Sequence, residues 1–369
     1  MASASGLGCW LVVEAASNTF FFKVTKKNNK PLQDFDSMTP SSFLNQCSHT
    51  LIRFLSSSSL MMLTALVLVL GIGGFPEGFL VSNGDIAMVS LILMMTLALS
   101  SIQLKNFKLR PYVKEVRNAF LLSFALLTAV TLVIAYFFSG DLRAGWILLA
   151  AVPSAVSVIS FTCLWGGDTE SSAVASIVMY LVSLVVTPVI TFVFLGTAVS
   201  VLTLLYYLSL QIVLPLFLSR LVKRFLTSPQ TRNILIHICF FILVIAVMGE
   251  NRSLLFSAGT VVAALAAFAV IRIFGVGITC NSLLHKSGVK QSSAVSKVLF
   301  STYKNTGMAA SLGLMLLGPQ AALPAAVCMV VDVVWLIFAG KFLFPQKAEW
   351  SDAIPESITN QAGVDTLSG

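Results

Sequence analysis

Of the chain's 369 residues, 57% are hydrophobic and only 10% are charged, which leaves too little polar surface for a soluble domain of this size. The apolar residues come in blocks of about 20, long enough to cross a bilayer core of about 30 Å as helices. The net charge is +8, but the basic residues are scattered between the apolar blocks. That pattern indicates membrane topology rather than nucleic-acid binding.

Residues 1–55 differ in composition from the rest of the chain. Their lysines cluster at positions 23–30, and no apolar run is long enough to span a membrane. The order of a secretory signal is not found in them. We therefore expect a disordered cytoplasmic extension. Because Met61 and Met62 open the first strong apolar block, a native start at these methionines is the alternative.

Ten apolar blocks follow, and each predicts one membrane-spanning helix of an all-α protein. The predicted spans are 60–80, 86–104, 118–138, 144–165, 172–195, 198–219, 233–249, 254–281, 293–317 and 321–344. Short loops favour antiparallel neighbours in one compact domain, residues 56–345. Two halves of five spans, 60–195 and 198–344, are predicted to form inverted repeats. Residues 346–369 are predicted to be a cytoplasmic tail.

Lysine and arginine are concentrated in alternate loops, which sets the predicted orientation, because cytoplasmic loops retain positive charge during insertion. With ten spans, one side receives Lys105, Lys108, Arg110, Lys114, Arg117, Arg220, Lys223, Arg224, Arg232, Lys286, Lys290, Lys341 and Lys347. The opposite side has little beyond Arg143 and Arg252. Both termini are therefore predicted to face the cytoplasm, and we expect the protein in the plasma membrane.

The fourth and ninth spans each contain residues that interrupt a helix. In the fourth, Pro153 lies deep in the apolar block and removes a backbone hydrogen bond. In the ninth, residues 301–307 form a polar run. Lipid cannot satisfy a broken backbone, so breaks at matching positions of two halves predict a binding site where two broken helices cross. The alternative is that Pro153 only kinks its helix.

Three charged residues lie inside predicted spans: Arg272, Lys304 and Asp332. A lone charge at this depth is costly, so partners are expected. Lys304 either receives an anionic solute or titrates during transport; otherwise it pairs with Asp332 or caps free carbonyls at a half-helix end. For Arg272 we expect a structural role, with its head at a carbonyl or at the membrane interface.

The segment 151–188 resembles the fourth and fifth helices of the bile acid:sodium symporter superfamily. It has a proline-containing break, then Gly167-Asp168 in a turn, then a Ser/Thr-spaced helix ending at Thr187-Pro188. This order of features is similar to that of the family's first broken helix and the helix that follows it.

Three further segments extend the resemblance over residues 60–344. Residues 304–309 (Lys-Asn-Thr-Gly-Met-Ala) resemble the family's Gln-Asn-Ser-Gly-Leu-Ala, and 322–324 (Ala-Leu-Pro) resemble the start of its tenth helix. Residues 100–108, which end in Asn-Phe-Lys, resemble its second helix and an Asp-Phe-Lys sequence. The resemblance implies ten helices in a core domain and a panel domain, with the two broken helices crossing near the binding site.

The sodium sites of that family are altered here. A Ser-Asn pair of the first site is replaced by residues 158–159 (Val-Ile), a shared glutamate by Phe300 and a glutamine by Lys304. Ser172 and Ser176 keep hydroxyls at two positions of the first site. Two hydroxyls cannot replace a carboxylate in binding a cation. Proton coupling, uniport and a degenerate carrier are therefore all open.

These features predict a secondary active transporter of a small organic solute, with an anion expected. Half-helix N-termini and the charge of Lys304 would attract an anion. The predicted substrate- and ion-binding residues are Lys304, Asn305, Thr306, Ser301, Thr302, Ser154, Ser157, Ser172, Ser176 and Asp332. The coupling ion, proton or sodium, stays open, and no metal or other cofactor is expected.

Two other classes remain as alternatives. An ion channel would need a continuous polar path, for which the spans offer few polar residues. A membrane enzyme or a non-transporting receptor would need a site assembled from separate helices, because no phosphate loop, HExxH or GxSxG is present. We therefore predict that the chain is not an enzyme.

The six cysteines are far apart and lie mostly within apolar blocks. They show no CxxC or Cys/His ligand spacing. We expect small core side chains, with neither a disulfide framework nor a metal site.

Overall fold

The structure is a computed structural model that describes residues 58–75, 81–102, 110–226 and 228–345. Within these ranges every regular element is helical. The predicted extension (1–55) and tail (346–369) lie outside the described residues, as does the basic loop at 103–109.

The described part of the chain contains fifteen α-helices. They are α1 Ser58–Gly71, α2 Asn83–Ser100, α3 Val113–Phe120, α4 Thr128–Ala135, α5 Gly140–Ala151, α6 Ser157–Leu164, α7 Thr169–Leu195, α8 Val201–Phe225, α9 Pro229–Glu250, α10 Arg252–Ser257, α11 Gly259–Val270, α12 Val276–Lys286, α13 Gln291–Thr302, α14 Thr306–Leu316 and α15 Pro319–Phe338. Two π-helical segments, Leu121–Leu127 and Ile271–Gly275, join α3 to α4 and α11 to α12.

Seven helices in the described ranges are long and apolar enough to cross a membrane. They are Asn83–Ser100, Arg110–Ala135, Thr169–Ala198, Val201–Phe225, Pro229–Glu250, Gly259–Lys286 and Pro319–Leu343. The chain thus has the helical architecture of an integral membrane protein, as the composition predicts. The remaining predicted spans contain shorter helices: α1, and the two interrupted pairs α5–α6 and α13–α14.

Several predicted helix ends differ from the observed ones, and three of these differences are informative. The first span was expected to reach residue 80, but α1 ends at Gly71. The eighth was expected from residue 254, but the short α10 ends at Ser257 and a new helix begins at Gly259. The resemblance placed a helix end at Pro188, yet α7 continues through it to Leu195. Apolar composition marks a span well, whereas its last turns depend on capping partners elsewhere in the fold.

The helices pack in two groups. In one, α2 lies against α8 and α9, and α9 also lies against α1. In the other, α5 packs against α7 and α15, α14 packs against α15, and α12 packs against α13. Helix α14 also touches α2 and so joins the groups. Both breaks belong to the second group.

Basic side chains donate hydrogen bonds to the carbonyls at two helix ends in the first group. Arg252 donates from Nε to Val69 O at 3.0 Å and from Nη2 to Leu70 O at 3.2 Å, at the end of α1. Lys223 donates from Nζ to Ile102 O at 3.3 Å, just beyond α2. Basic side chains at these positions satisfy free carbonyls and interact favourably with the helix dipole.

The expectation that all cysteines are unpaired core side chains is wrong for Cys163, which is disulfide-bonded. The thiols of Cys239, Cys280 and Cys328 are free, and the latter two are buried. Disulfide pairing between distant cysteines cannot be deduced from their spacing.

Candidate functional site

The two interrupted helices meet at their breaks. Helix α5 ends at Ala151 and α6 begins at Ser157, while α13 ends at Thr302 and α14 begins at Thr306. The backbone N–H of Asn305 donates to Pro153 O at 2.8 Å. Helix α5 packs against α14 and α6 packs against α13, so the two interrupted segments cross where neither is helical. We call this region the crossing.

Local chemistry explains each break. Val152, which precedes a proline, takes an extended conformation with ψ 157°, as steric clash with the proline ring requires. In the second break Tyr303 is extended, and the side chain of Asn305 accepts from Met308 N at 3.0 Å. Asparagine is a favoured N-cap, so Asn305 begins α14.

The side chain of Lys304 makes three hydrogen bonds at the crossing. Its ammonium donates to Ala150 O and Val152 O at 2.9 Å each, and to Thr128 Oγ1 at 3.0 Å. The side chain is 0% exposed, and the ring centroid of Phe124 lies 4.7 Å from Nζ. An ammonium has three donors, so its hydrogen-bonding capacity is filled by oxygens of α4 and the end of α5.

These contacts separate the interpretations of Lys304. It caps free carbonyls at a half-helix end, which was one alternative. The salt bridge with Asp332 is not formed, because Asp332 pairs with Arg272. The ammonium also lies at the carboxyl end of α5, where the helix dipole is negative, rather than at a half-helix N-terminus. In this conformation it has no donor left for an anionic solute.

Asn305 links the second break to two neighbouring helices. Its Nδ2 donates to Tyr180 Oη at 3.0 Å and approaches Met95 Sδ at 3.7 Å. Tyr180 is 1% exposed, and the sequence interpretation missed it. The available signal was its spacing, because it continues the four-residue repeat of Ser172 and Ser176 on α7.

Asp332 on α15 connects the second break to Arg272, which lies in the π-helical segment between α11 and α12. Its Oδ1 lies 3.4 Å from Arg272 Nη2, and its Oδ2 accepts from Thr306 Oγ1 at 3.3 Å. The hydroxyl of Tyr303 donates to the backbone oxygen of Asp332 at 3.0 Å. Arg272 was expected to reach a carbonyl or the membrane interface. Its partner is instead the carboxylate of Asp332.

The predicted serines and threonines divide into two sets. Ser301 and Thr302 donate to carbonyls of their own helix, chiefly Val298 O, and so do not face a site. Ser157 is half-buried in the first turn of α6. Three of the predicted residues have buried hydroxyls without a hydrogen-bond partner in the described ranges, Ser154, Ser172 and Ser176, and the same holds for Ser123 and Thr191 outside the predicted set.

A small cavity lies beside Ser172 and Phe300, between the starts of α3 and α7 and the middle of α13. Its lining consists of Glu115, Asn118, Ser171, Ser172, Ser296, Lys297 and Phe300. Phe300 is buried there, at the position where the resemblance places a sodium-binding glutamate. An aromatic ring cannot ligate sodium as a carboxylate does.

The structure therefore brings together Lys304, Asn305, Thr306 and Asp332 at the crossing. Among the described residues, no group of three or more His, Cys, Asp or Glu side chains is arranged to hold a metal ion. No protein-family model matches this chain, and no curated protein matches it.

Proposed function

We propose that this chain is a secondary transporter of a small organic solute, and that Lys304 takes the part that bound sodium plays in sodium-coupled carriers. The observation that supports this most directly is the shell of three oxygens around its ammonium, where two broken helices cross. Broken helices inside a membrane persist only when they are buried or line a cavity. They are typical of substrate and ion sites in secondary transporters.

The order of helices supports an inverted repeat of five spans. Counting α3–α4 as one span and α5–α6 as another, the first half runs from α1 to α7 and its fourth span is broken. Counting α11–α12 and α13–α14 in the same way, the second half runs from α8 to α15 and its fourth span is again broken. The proposal places ten spans in the plasma membrane, with both termini in the cytoplasm.

The lysine would replace sodium for an electrostatic reason. Carbonyl and hydroxyl oxygens are ligands suited to a small cation, and here an ammonium occupies them. A second cation in the same volume would be repelled. Lys304 also stands where the resemblance puts a sodium-binding glutamine, and Phe300 stands at the shared glutamate. Transport would therefore be independent of sodium.

Two rival functions predict different behaviour. A channel would conduct an ohmic current, and a membrane enzyme or receptor would give neither current nor flux. A carrier gives saturable flux. Reconstitution of the full chain into liposomes, with a panel of labelled organic acids and with sodium or potassium as the cation, distinguishes all three. We expect saturable flux of an organic acid, with the same rate in sodium buffer as in potassium buffer. Ohmic current, or no flux of any acid, would overturn the proposal.

The part assigned to Lys304 has its own test. The double variant Phe300→Glu with Lys304→Gln restores the residue types that the resemblance places at these two positions, and we expect sodium to raise its melting temperature while potassium does not. Lys341→Gln, at an exposed position, is the matched control and should show no sodium response. A sodium response in the unmodified protein would contradict the proposal.

A further inference from the structure

The two buried cations of the described membrane interior differ in how fully they are bonded. Lys304 has three acceptors for its three donors. Arg272 is 0% exposed, and its guanidinium contacts Asp332 and the thiol of Cys328, yet its Nε and Nη1 have no hydrogen-bond partner in the described part of the chain. Buried guanidinium groups normally use their planar fork for bidentate contacts. Arg272 therefore has unused capacity to bind an anion, whereas Lys304 has none.

The partner of Arg272 is itself weakly held. The 3.4 Å separation from Asp332 Oδ1 is a single contact, longer than the 2.7–2.9 Å typical of charge-assisted hydrogen bonds. The other oxygen, Oδ2, accepts only from the neutral hydroxyl of Thr306 at 3.3 Å. A carboxylate this poorly satisfied in a dry interior is a group that can accept a proton.

Asp332 is unlike the other acidic residues in the described ranges, which lie at helix ends. It sits well inside α15, and 9% of its side chain reaches the surface while Arg272 has 0%. The charged or titratable groups around it are Arg272, the Tyr303 hydroxyl on its backbone oxygen, Cys328 one turn earlier, and Lys304, which repels Arg272. Arg272 is the one of these that can pair with its carboxylate.

We propose that Asp332 binds a coupling proton, and that its protonation releases Arg272 to bind the acidic group of the transported anion. The proton comes from the solution that the solute leaves and attaches to Asp332 Oδ1. The Arg272–Asp332 ion pair is thereby replaced by an ion pair between Arg272 and the anion. This inference rests on the proposed transport function and assigns its coupling ion and substrate class.

Charge balance favours taking up the two together. Protonating Asp332 alone leaves Arg272 as an uncompensated buried charge, and an anion alone adds a second negative charge beside Asp332. Either state is strongly unfavourable in a membrane interior. One proton with one monoanion leaves the net charge of the site unchanged, so the transport is an electroneutral symport.

Thr306 provides the connection to the crossing. It is the first residue of α14, and its hydroxyl donates to Asp332 Oδ2. This hydrogen bond is weaker when the carboxyl group is protonated than when it is ionised. Proton uptake at Asp332 thus loosens the start of the same half-helix that follows Lys304 and Asn305.

Proton binding can be measured without transport. Infrared difference spectra of the full chain in liposomes should show a buried protonated carboxyl band that grows as the pH is lowered, and Asp332→Asn should remove it. Should the single variant fail to fold because it leaves Arg272 unpaired, Arg272→Gln with Asp332→Asn removes both charges and should lack the band too. A band that persists in either variant, or no such band in the unmodified protein, overturns the proton site.

Anion binding is tested with benzenesulfonate, which stays ionised, and with benzoate as the carboxylate. While Asp332 is ionised, the apparent affinity for either anion should rise about tenfold for each pH unit lowered, as uptake of one proton requires. In Asp332→Asn the affinity should be high and independent of pH, and in the double variant it should be lost. Equal binding by the double variant, unchanged pH dependence in Asp332→Asn, or no binding by the unmodified protein overturns the proposal.

The outcomes separate this inference from the proposed function. Saturable organic-acid flux that neither follows pH nor needs Arg272 would leave a transporter and reject the coupling. A proton band and pH-dependent anion binding without any flux would leave the site and reject transport.

Discussion

The two breaks contribute to their crossing in different ways. The first offers four consecutive backbone carbonyls, Ala150 to Pro153, and each accepts a hydrogen bond from outside α5. The second offers donors, namely the side chain of Lys304 and the backbone N–H of Asn305. Proline creates free acceptors but supplies no donor, so the first break depends on the second for its stability. Two breaks of similar position thus act as acceptor and donor, and the crossing requires both.

The largest expected effect comes from removing the main donor. Lys304→Met keeps a long apolar stem but leaves Val152 O without a donor and Ala150 O with only the Thr128 hydroxyl, and should lower the free energy of unfolding by about 3 kcal/mol. Lys223→Met is the matched control, because Lys223 caps one carbonyl at an exposed position and should cost less than about 1 kcal/mol. Thermal unfolding in detergent measures both, and equal losses would show that burial does not set the value of these contacts.

An intermediate effect is expected from the other donor side chain. Asn305→Ala removes the N-cap of α14 and the contact with Tyr180, and should cost about 2 kcal/mol. Ser154→Ala is the corresponding change in the first break, where the buried hydroxyl lacks a partner in the described ranges, and should be neutral or slightly stabilising. Denaturant unfolding of both variants decides the matter: a loss for Ser154→Ala as large as that for Asn305→Ala would remove the distinction between the breaks.

The smallest expected effect tests one oxygen of the lysine shell. Thr128 both accepts from Lys304 and donates to Ala150 O at 2.8 Å, so Thr128→Val should cost about 1 kcal/mol. Thr131→Val removes a buried hydroxyl that bonds only within its own helix, to Leu127 O, and should cost less. If the order of the two melting temperatures is reversed, Thr128 does not contribute to the crossing as its geometry indicates.

The sequence predicted the helical membrane architecture and the position of both breaks, because apolar blocks and helix-breaking residues are local properties. Residues 151–157 and 301–307 were expected to interrupt their spans, and α5–α6 and α13–α14 are separated there. Where α1 ends was not predictable, since Arg252 caps its last carbonyls from far along the chain.

Partner choice inside the site was less predictable. Asp332 was considered as a partner for Lys304, but it pairs with Arg272, 60 residues earlier in the chain. Which of two cations lies closer to one carboxylate depends on helix rotation and packing, and these are not encoded in spacing along one helix. Capping of carbonyls by Lys304 was among the alternatives, but its acceptors on α4 and α5 follow only from the fold.

The covalent attachment of the ammonium to the chain has a consequence for how the crossing responds to its surroundings. A dissociable ion fills a site by mass action, so its occupancy falls when the bath is diluted. The Lys304 head group has instead an effective concentration fixed by its own tether, which Asn305 holds in place through its bond to Pro153 O. The three hydrogen bonds of Lys304 therefore need no ion supplied from the surrounding solution.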